Sequence, residues 1–140
     1  MANSQAISGV MKQVALGAVV DGKTLKAALY LASATTNGSN TAYTATGEVS
    51  GTGYSAGGIS CTNANSAGLT STTAYWTPSA SLVYTTVTLS TAFDAVMIYS
   101  TTDTNRNIGV FTFGSQTITS GTLTLTMPTN DATTGLVRFA

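Results

Sequence analysis

The sequence predicts an all-β, single-domain, jelly-roll-like antiparallel β-sandwich of about eight strands, with a short N-terminal helix or arm over residues 1–22. Three observations predict it. The chain is dominated by 28 Thr, 19 Ala, 15 Ser and 14 Gly, and Thr sits well on the solvated face of a strand. Its second half falls into short apolar segments of period two, bounded by turn residues, at the spacing of a sandwich or barrel. Its 140 residues are the size of one domain, with neither linker nor repeat to divide them. An immunoglobulin-like sandwich is the nearest competitor, although its Cys–Trp–Cys signature is missing.

The elements follow in order. Residues 4–18 carry Ile7, Val10, Met11, Val14 and Ala18 on one helical stripe, with Asn3 or Ser4 as the cap. An arm that orders against a partner is the alternative. Asp21-Gly22 is a turn. Residues 24–31 read as a strand. A polar loop with Asn37-Gly38 leads to residues 47–58, where five glycines demand tight backbone turns. The GxG inside it is not a dinucleotide fingerprint, because no helix follows. Residues 59–63, 73–77 and 83–89 are further strands. Residues 95–99 form a continuous apolar run, predicting a strand buried on both faces. A polar turn over 101–107 returns the chain into a hairpin strand at 108–113. Residues 122–127 alternate, with Leu123, Leu125 and Met127 on one face, and Pro128 ends them. Residues 135–139 are the last strand.

Composition bounds the function. Five Lys/Arg, five Asp/Glu and no His make the chain 7% charged with no net charge, against about 25% in a typical domain. That opposes a sequence-tolerant nucleic-acid binder, which needs a basic surface, and a basic membrane-surface protein. Without His there is no Ser-His-Asp or Cys-His catalysis and no His-ligated metal. The apolar run 14–20 is too short to span a bilayer, and the first residues lack the basic region of a secretory signal. These features predict folding in a cytoplasm, with Cys61 reduced. A surface so poor in charge is weakly protected against association, which suggests work inside an assembly. A soluble all-β domain solvated by Thr is the plainer alternative.

Candidate chemistry is sparse. A glycosidase needs two carboxylates across a cleft, and no motif pairs any here. Asp21, Asp103 and Asp131 lie in turn sequences, where Asp satisfies local backbone groups. Asp94 is expected to pair with Arg106 or Arg138. Glu48, before a glycine loop, is the least explained, and a buried pairing or partner contact suits it better than catalysis. Cys61 reads as a small core residue. Tyr43, Tyr54, Tyr75, Trp76 and Tyr84 cluster in the uncharged middle. They are core and strand-pair residues or, exposed together, a surface for sugar rings or a protein. Trp76 is assigned to the core, and Tyr54 stays open. No cofactor and no metal site is predicted.

Three segments carry a resemblance. LKAALYLASAT (25–35), GEVSGTGYSAGG (47–58) and FDAVMIYSTTDTNRNIGVFTFGSQTITSGTLTLTMPTNDATTGLVRFA (93–140) resemble, in order, a family of small structural proteins of tailed bacteriophages. Among these the chain is most similar to the capsid cement, or decoration, proteins of short-tailed phages. The resemblance implies a jelly roll bound outside an HK97-like shell. It implies no catalytic residue, the major capsid protein as partner, and a place on the outer surface of the virion after synthesis in the host cytoplasm. A homo-oligomer is expected, a dimer in preference to a trimer. The interface candidates are Ile7, Val10, Met11, Tyr54, Arg138 and Phe139. The alternative function is a tail or fibre module that binds a host glycan through Tyr54, Tyr75 or Trp76. A carboxylate-based glycan hydrolase using Glu48 ranks third.

Overall fold

A computed structural model describes residues 6–140. It shows an antiparallel β-sandwich with one helix. The elements are α1 (Gly9–Val20), β1 (Leu25–Leu31), β2 (Ile59–Cys61), β3 (Gly68–Thr70), β4 (Thr73–Trp76), β5 (Leu82–Ser100), β6 (Arg106–Leu125) and β7 (Val137–Phe139). A four-stranded sheet runs β2-β1-β5-β6, and a three-stranded sheet runs β3-β4-β7.

The strands number seven rather than about eight, for two reasons. Segments expected as four separate strands fuse into one hairpin, the 19-residue β5 and the 20-residue β6. Short β3, which the sequence reading leaves out, adds one. Bulges bend the hairpin where polar residues interrupt the apolar pattern. The register slips between Tyr84 and Val87, and again up to Phe93. Thr86 and Ser120, on opposite strands there, take positive φ of 52° and 47°, as bulge residues do. The bend lets one hairpin supply both a central and an outlying part of the sandwich.

β1 and the second half of β5 are buried on both faces. Leu25, Ala27 and Leu29 join Trp76, Leu82, Tyr84, Leu89, Phe93, Val96 and Ile98 in the main core. The opposite face carries Ala28, Tyr30, Ala95, Met97 and Tyr99, covered in part by Tyr43 and Ala34 of the long loop. The continuous apolar run of residues 95–99 therefore has the double burial expected of it. Cys61 and Trp76 are core residues, 6% and 0% exposed.

α1 starts later than the stripe suggests. Its N-cap is Ser8, whose hydroxyl accepts the Met11 amide at 3.1 Å. The expected caps Asn3 and Ser4 lie outside the described residues. Leu16 and Val20 face the core. Gly9 lets the helix approach the β3–β4 turn, where a Cβ would stand 2.8 Å from the Ser71 carbonyl oxygen. Gln13 Nε2 donates to the Ala67 carbonyl at 2.9 Å, and the Asp21 carboxylate accepts the Ala67 amide at 2.7 Å. The helix is thus a fixed part of the domain, not a loose arm. No helix of the described residues is long and apolar enough to cross a membrane.

Candidate interaction surfaces

The sharpest surface feature lies on α1. Its inner face is buried, yet Val10, Met11 and Val14 are 61%, 63% and 66% exposed, and Ile7, just before the Ser8 cap, is 59% exposed. Helical spacing places Val10, Met11 and Val14 along one side of α1, with exposed Ala15 and Ala18 beside them. Lys12 is turned away to the Thr72 carbonyl, 3.2 Å from its Nζ. The result is an uncharged apolar stripe on a helix clamped to the sandwich. Ile7, Val10 and Met11 are thus at the surface. Val14 belongs with them, since it shares the stripe already visible in the sequence.

The other interface candidates are placed differently. Phe139 is 42% exposed and ends β7. Arg138 is exposed and donates from Nη1 to the Thr133 carbonyl at 2.6 Å. Both lie on β7, paired to β4 through Ala74↔Phe139 and Tyr75↔Arg138, remote in sequence from the helix. Tyr54 is half-buried and its hydroxyl is committed inside the molecule.

That commitment belongs to a polar cluster centred on Glu48. The outer edge of β1 pairs first with residues 47–49, through Leu31 N to Gly47 O (2.9 Å) and Val49 N to Leu29 O (3.0 Å). It pairs again with β2 through Ala27↔Ile59. Between them residues 50–58 leave the sheet, and the Leu29 N–H finds its partner in a side chain. Two tyrosine hydroxyls bind the strand backbone here. Leu29 N donates to Tyr54 Oη at 3.0 Å, and Tyr84 Oη donates to Ala27 O at 2.8 Å. Tyr54 Oη in turn donates to Glu48 Oε1 at 2.7 Å, as does the Gly57 amide at 2.7 Å. Tyr43 Oη donates to Glu48 Oε2 at 2.6 Å. Tyr99 Oη reaches the Gly57 carbonyl (2.8 Å) and Tyr30 Oη the Thr44 carbonyl (2.6 Å). Tyr43 stacks on Tyr99 with centroids 4.8 Å apart, and Tyr54 on Tyr84 at 6.1 Å. Gly58 closes the excursion at φ 72°, where the Ala27 carbonyl occupies the place of any Cβ.

The cluster is a fastening for the loop. Three donors occupy the half-buried Glu48 carboxylate, where a buried pairing or a partner contact was expected. Burial pushes the Tyr30 hydroxyl up to about 12. Burial, then the hydrogen bond to Glu48, raises Tyr43 and Tyr54, and burial raises Tyr84. These phenols stay protonated as donors at neutral pH. Burial likewise pushes the Cys61 thiol up to about 11, consistent with its reading as a core residue.

The remaining carboxylates are surface groups. Asp131 accepts the Thr133 and Thr134 amides at 2.7 Å each, the local turn role expected, and these bonds hold its carboxyl below the usual range. Asp21 departs from expectation in reaching Ala67, far along the chain. Asp103 pairs with Lys23 at 3.1 Å, and that hydrogen bond lowers its pKa most. Asp94 pairs with neither arginine, against expectation. Arg106 lies opposite Ser100, six residues or about 20 Å along β5 from Asp94, and Arg138 is in the other sheet. Among the described residues no group of three or more His, Cys, Asp or Glu could hold a metal ion.

One surface escaped sequence reasoning. A cleft of about 280 Å³ opens beside β6, lined by Val96, Ile98, Phe111, Phe113, Met127 and Leu136 among others. The alternation of residues 108–113 signals an inward apolar face, but the sequence does not show that this face is left partly uncovered. No family model, curated protein or solved structure matches the chain.

Proposed function

We propose that this protein is a capsid cement protein: a non-enzymatic structural subunit that docks on the outside of an HK97-like phage head and bridges major capsid subunits. The ordered resemblance of residues 25–35, 47–58 and 93–140 to phage structural proteins supports the phage setting. The exposed stripe Ile7, Val10, Met11 and Val14 is the observation that carries the docking role. Fully burying such a side chain is worth about 1.5–3 kcal/mol. Four of them roughly two-thirds exposed therefore leave about 4–7 kcal/mol of gross hydrophobic free energy for a partner. Few charges need desolvation on that face. Weak individual contacts suffice on a shell, because many copies act together against the outward push of packaged DNA.

The test is copy number and docking. Quantitative mass spectrometry of purified virions is expected to find the chain in the same order of abundance as the major capsid protein. The double variant Val10→Lys/Met11→Lys is expected to fold normally and to lose at least tenfold in affinity for shells lacking the protein. A few copies per particle would instead place it in the tail or fibre, with a host glycan as ligand. The aromatic residues available for that reading are Tyr54, Tyr75 and Trp76, of which Trp76 has no exposed surface.

A further inference from the structure

Asn37-Gly38 turns the long loop between β1 and β2, and the fastening around Glu48 makes no use of it. Of the eight asparagines in the chain, Asn37 alone precedes glycine. Asn37, Gly38 and Ser39 are exposed, and the Asn40 amide closes the turn on the Asn37 carbonyl at 3.1 Å. The loop is held on both sides of this tip. Ala32 N donates to Ala92 O at 2.9 Å, and Tyr43 N donates to Asn105 O at 2.8 Å. An Asn-Gly pair therefore stands in solvent on fixed shoulders.

The Asn37 side chain suits one reaction. Its Oδ1 accepts the Ser39 amide at 2.8 Å, and its Nδ2 donates to the Thr35 carbonyl at 3.1 Å. A donor on Oδ1 stabilises the negative charge that this oxygen gains when Cγ is attacked. The attacking atom is the next backbone nitrogen, that of Gly38. Among the described residues this nitrogen donates to no acceptor, so no internal bond holds its proton. Gly38 brings no Cβ to obstruct the approach and turns freely about its backbone. A Cβ added there would meet nothing within 4 Å, so the surroundings leave room for ring closure. The other asparagines differ. Asn63, Asn65 and Asn107 are half-buried, with Nδ2 held by the carbonyls of Val20, Thr77 and Asn40, and each is followed by a residue that carries a side chain.

We propose that Asn37 is a site of spontaneous deamidation, an ageing mark that gives this neutral chain a net charge. Gly38 N loses its proton to solvent base and bonds to Asn37 Cγ. The Cγ–Nδ2 bond breaks, and the nitrogen takes a proton from water and leaves as ammonia. Water then opens the succinimide at one carbonyl or the other, giving aspartate or isoaspartate. Solvent water is the only co-reactant. Residues 32–47 carry no charged side chain, so the new carboxylate has no counter-charge in its own loop. The balance of five positive and five negative side chains tips by one. The isoaspartate branch also adds a backbone atom inside the turn that Asn40 closes, next to the Asn107 Nδ2 bond to the Asn40 carbonyl at 2.8 Å. The proposal stands apart from the capsid reading, because it concerns the chain alone.

Incubation of the full chain in neutral buffer at body temperature, followed by chymotryptic mapping, tests it. The peptide of residues 32–43 holds Asn37 and Asn40, and fragment masses separate the two. Asn37 is expected to gain one mass unit over weeks, as aspartate and isoaspartate together, at least tenfold faster than any other asparagine of the folded chain. Gly38→Ala has room for its methyl group at a φ outside the left-handed region. It is expected to keep the wild-type circular dichroism and to slow conversion at least tenfold. The chain unfolded in guanidinium is the reference, and native Asn37 is expected to convert within about fivefold of its rate there. Stronger protection in the native chain overturns the proposal, because the turn then guards the amide. So does conversion that Gly38→Ala leaves unchanged, or that is spread evenly over the asparagines.

Discussion

Glu48 shows how one residue can hold a long loop. Its two oxygens accept Tyr43, Tyr54 and the Gly57 amide. Removing the acceptor leaves three donors with nothing to bond, at about 1–3 kcal/mol for each that stays buried. Glu48→Ala is expected to cost about 2–5 kcal/mol in urea unfolding. Glu48→Gln keeps an oxygen for Tyr54 and Gly57 while Tyr43 turns its hydroxyl to accept, so about 1 kcal/mol is expected. The tyrosines themselves make a second expectation. Their native pKa values lie above the ordinary 10.0, so the unfolded chain releases its phenol protons first. Stability is therefore complete below about pH 10 and falls as pH rises through the native values, for Tyr30 between 10.0 and about 12. Chemical unfolding across pH 8–12 checks this, and Tyr84→Phe is expected to flatten the decline. That Glu48 was unusual is legible in the sequence. Its partners are not, because the Tyr54 hydroxyl that reaches Glu48 also takes the amide of Leu29, 25 residues away, and only the fold brings that hydroxyl to the gap in β1.

At the scale of elements, α1 carries two apolar faces with opposite roles. Leu16 is 1% exposed and Met11 63%. Leu16→Ala is expected to destabilise the domain by about 2–5 kcal/mol, whereas Met11→Lys is expected to stay within about 0.5 kcal/mol of the wild type. Thermal or urea unfolding separates them. The helical stripe was visible in the sequence as one face, but which face meets the core was not. Gly9 and Gly17 argue against a helix by propensity, and packing overrides that penalty. The fused β5–β6 hairpin was equally hidden. Ser90, Thr91 and Ala92 are exposed on β5, and residues 114–117 are exposed on β6, so both stretches read as loops. Hairpin pairing carries the strand through residues whose side chains gain nothing by burial. β3, only three residues between Asn/Ser-rich turns, offers no period to count.

For the whole molecule, sandwich class and core strands were legible because burial imposes a period on side chains, and period survives in sequence. The cleft beside β6 was not, because an opening is defined by what fails to lie next to it. Cohesion rests on apolar packing and neutral hydrogen bonds. From Val49 to Phe93 the chain carries no charge, and Lys23–Asp103 is the only ion pair among the described residues. The scarcity of charge, five Lys/Arg balanced by five Asp/Glu, has a kinetic consequence. Neither the α1 stripe nor the cleft beside β6 exerts a field that reaches beyond contact, so no electrostatic steering gathers partners from a distance. Encounters proceed at the unsteered rate, about 10⁵–10⁶ M⁻¹s⁻¹, and added salt, which shortens the Debye length, leaves that rate where it was.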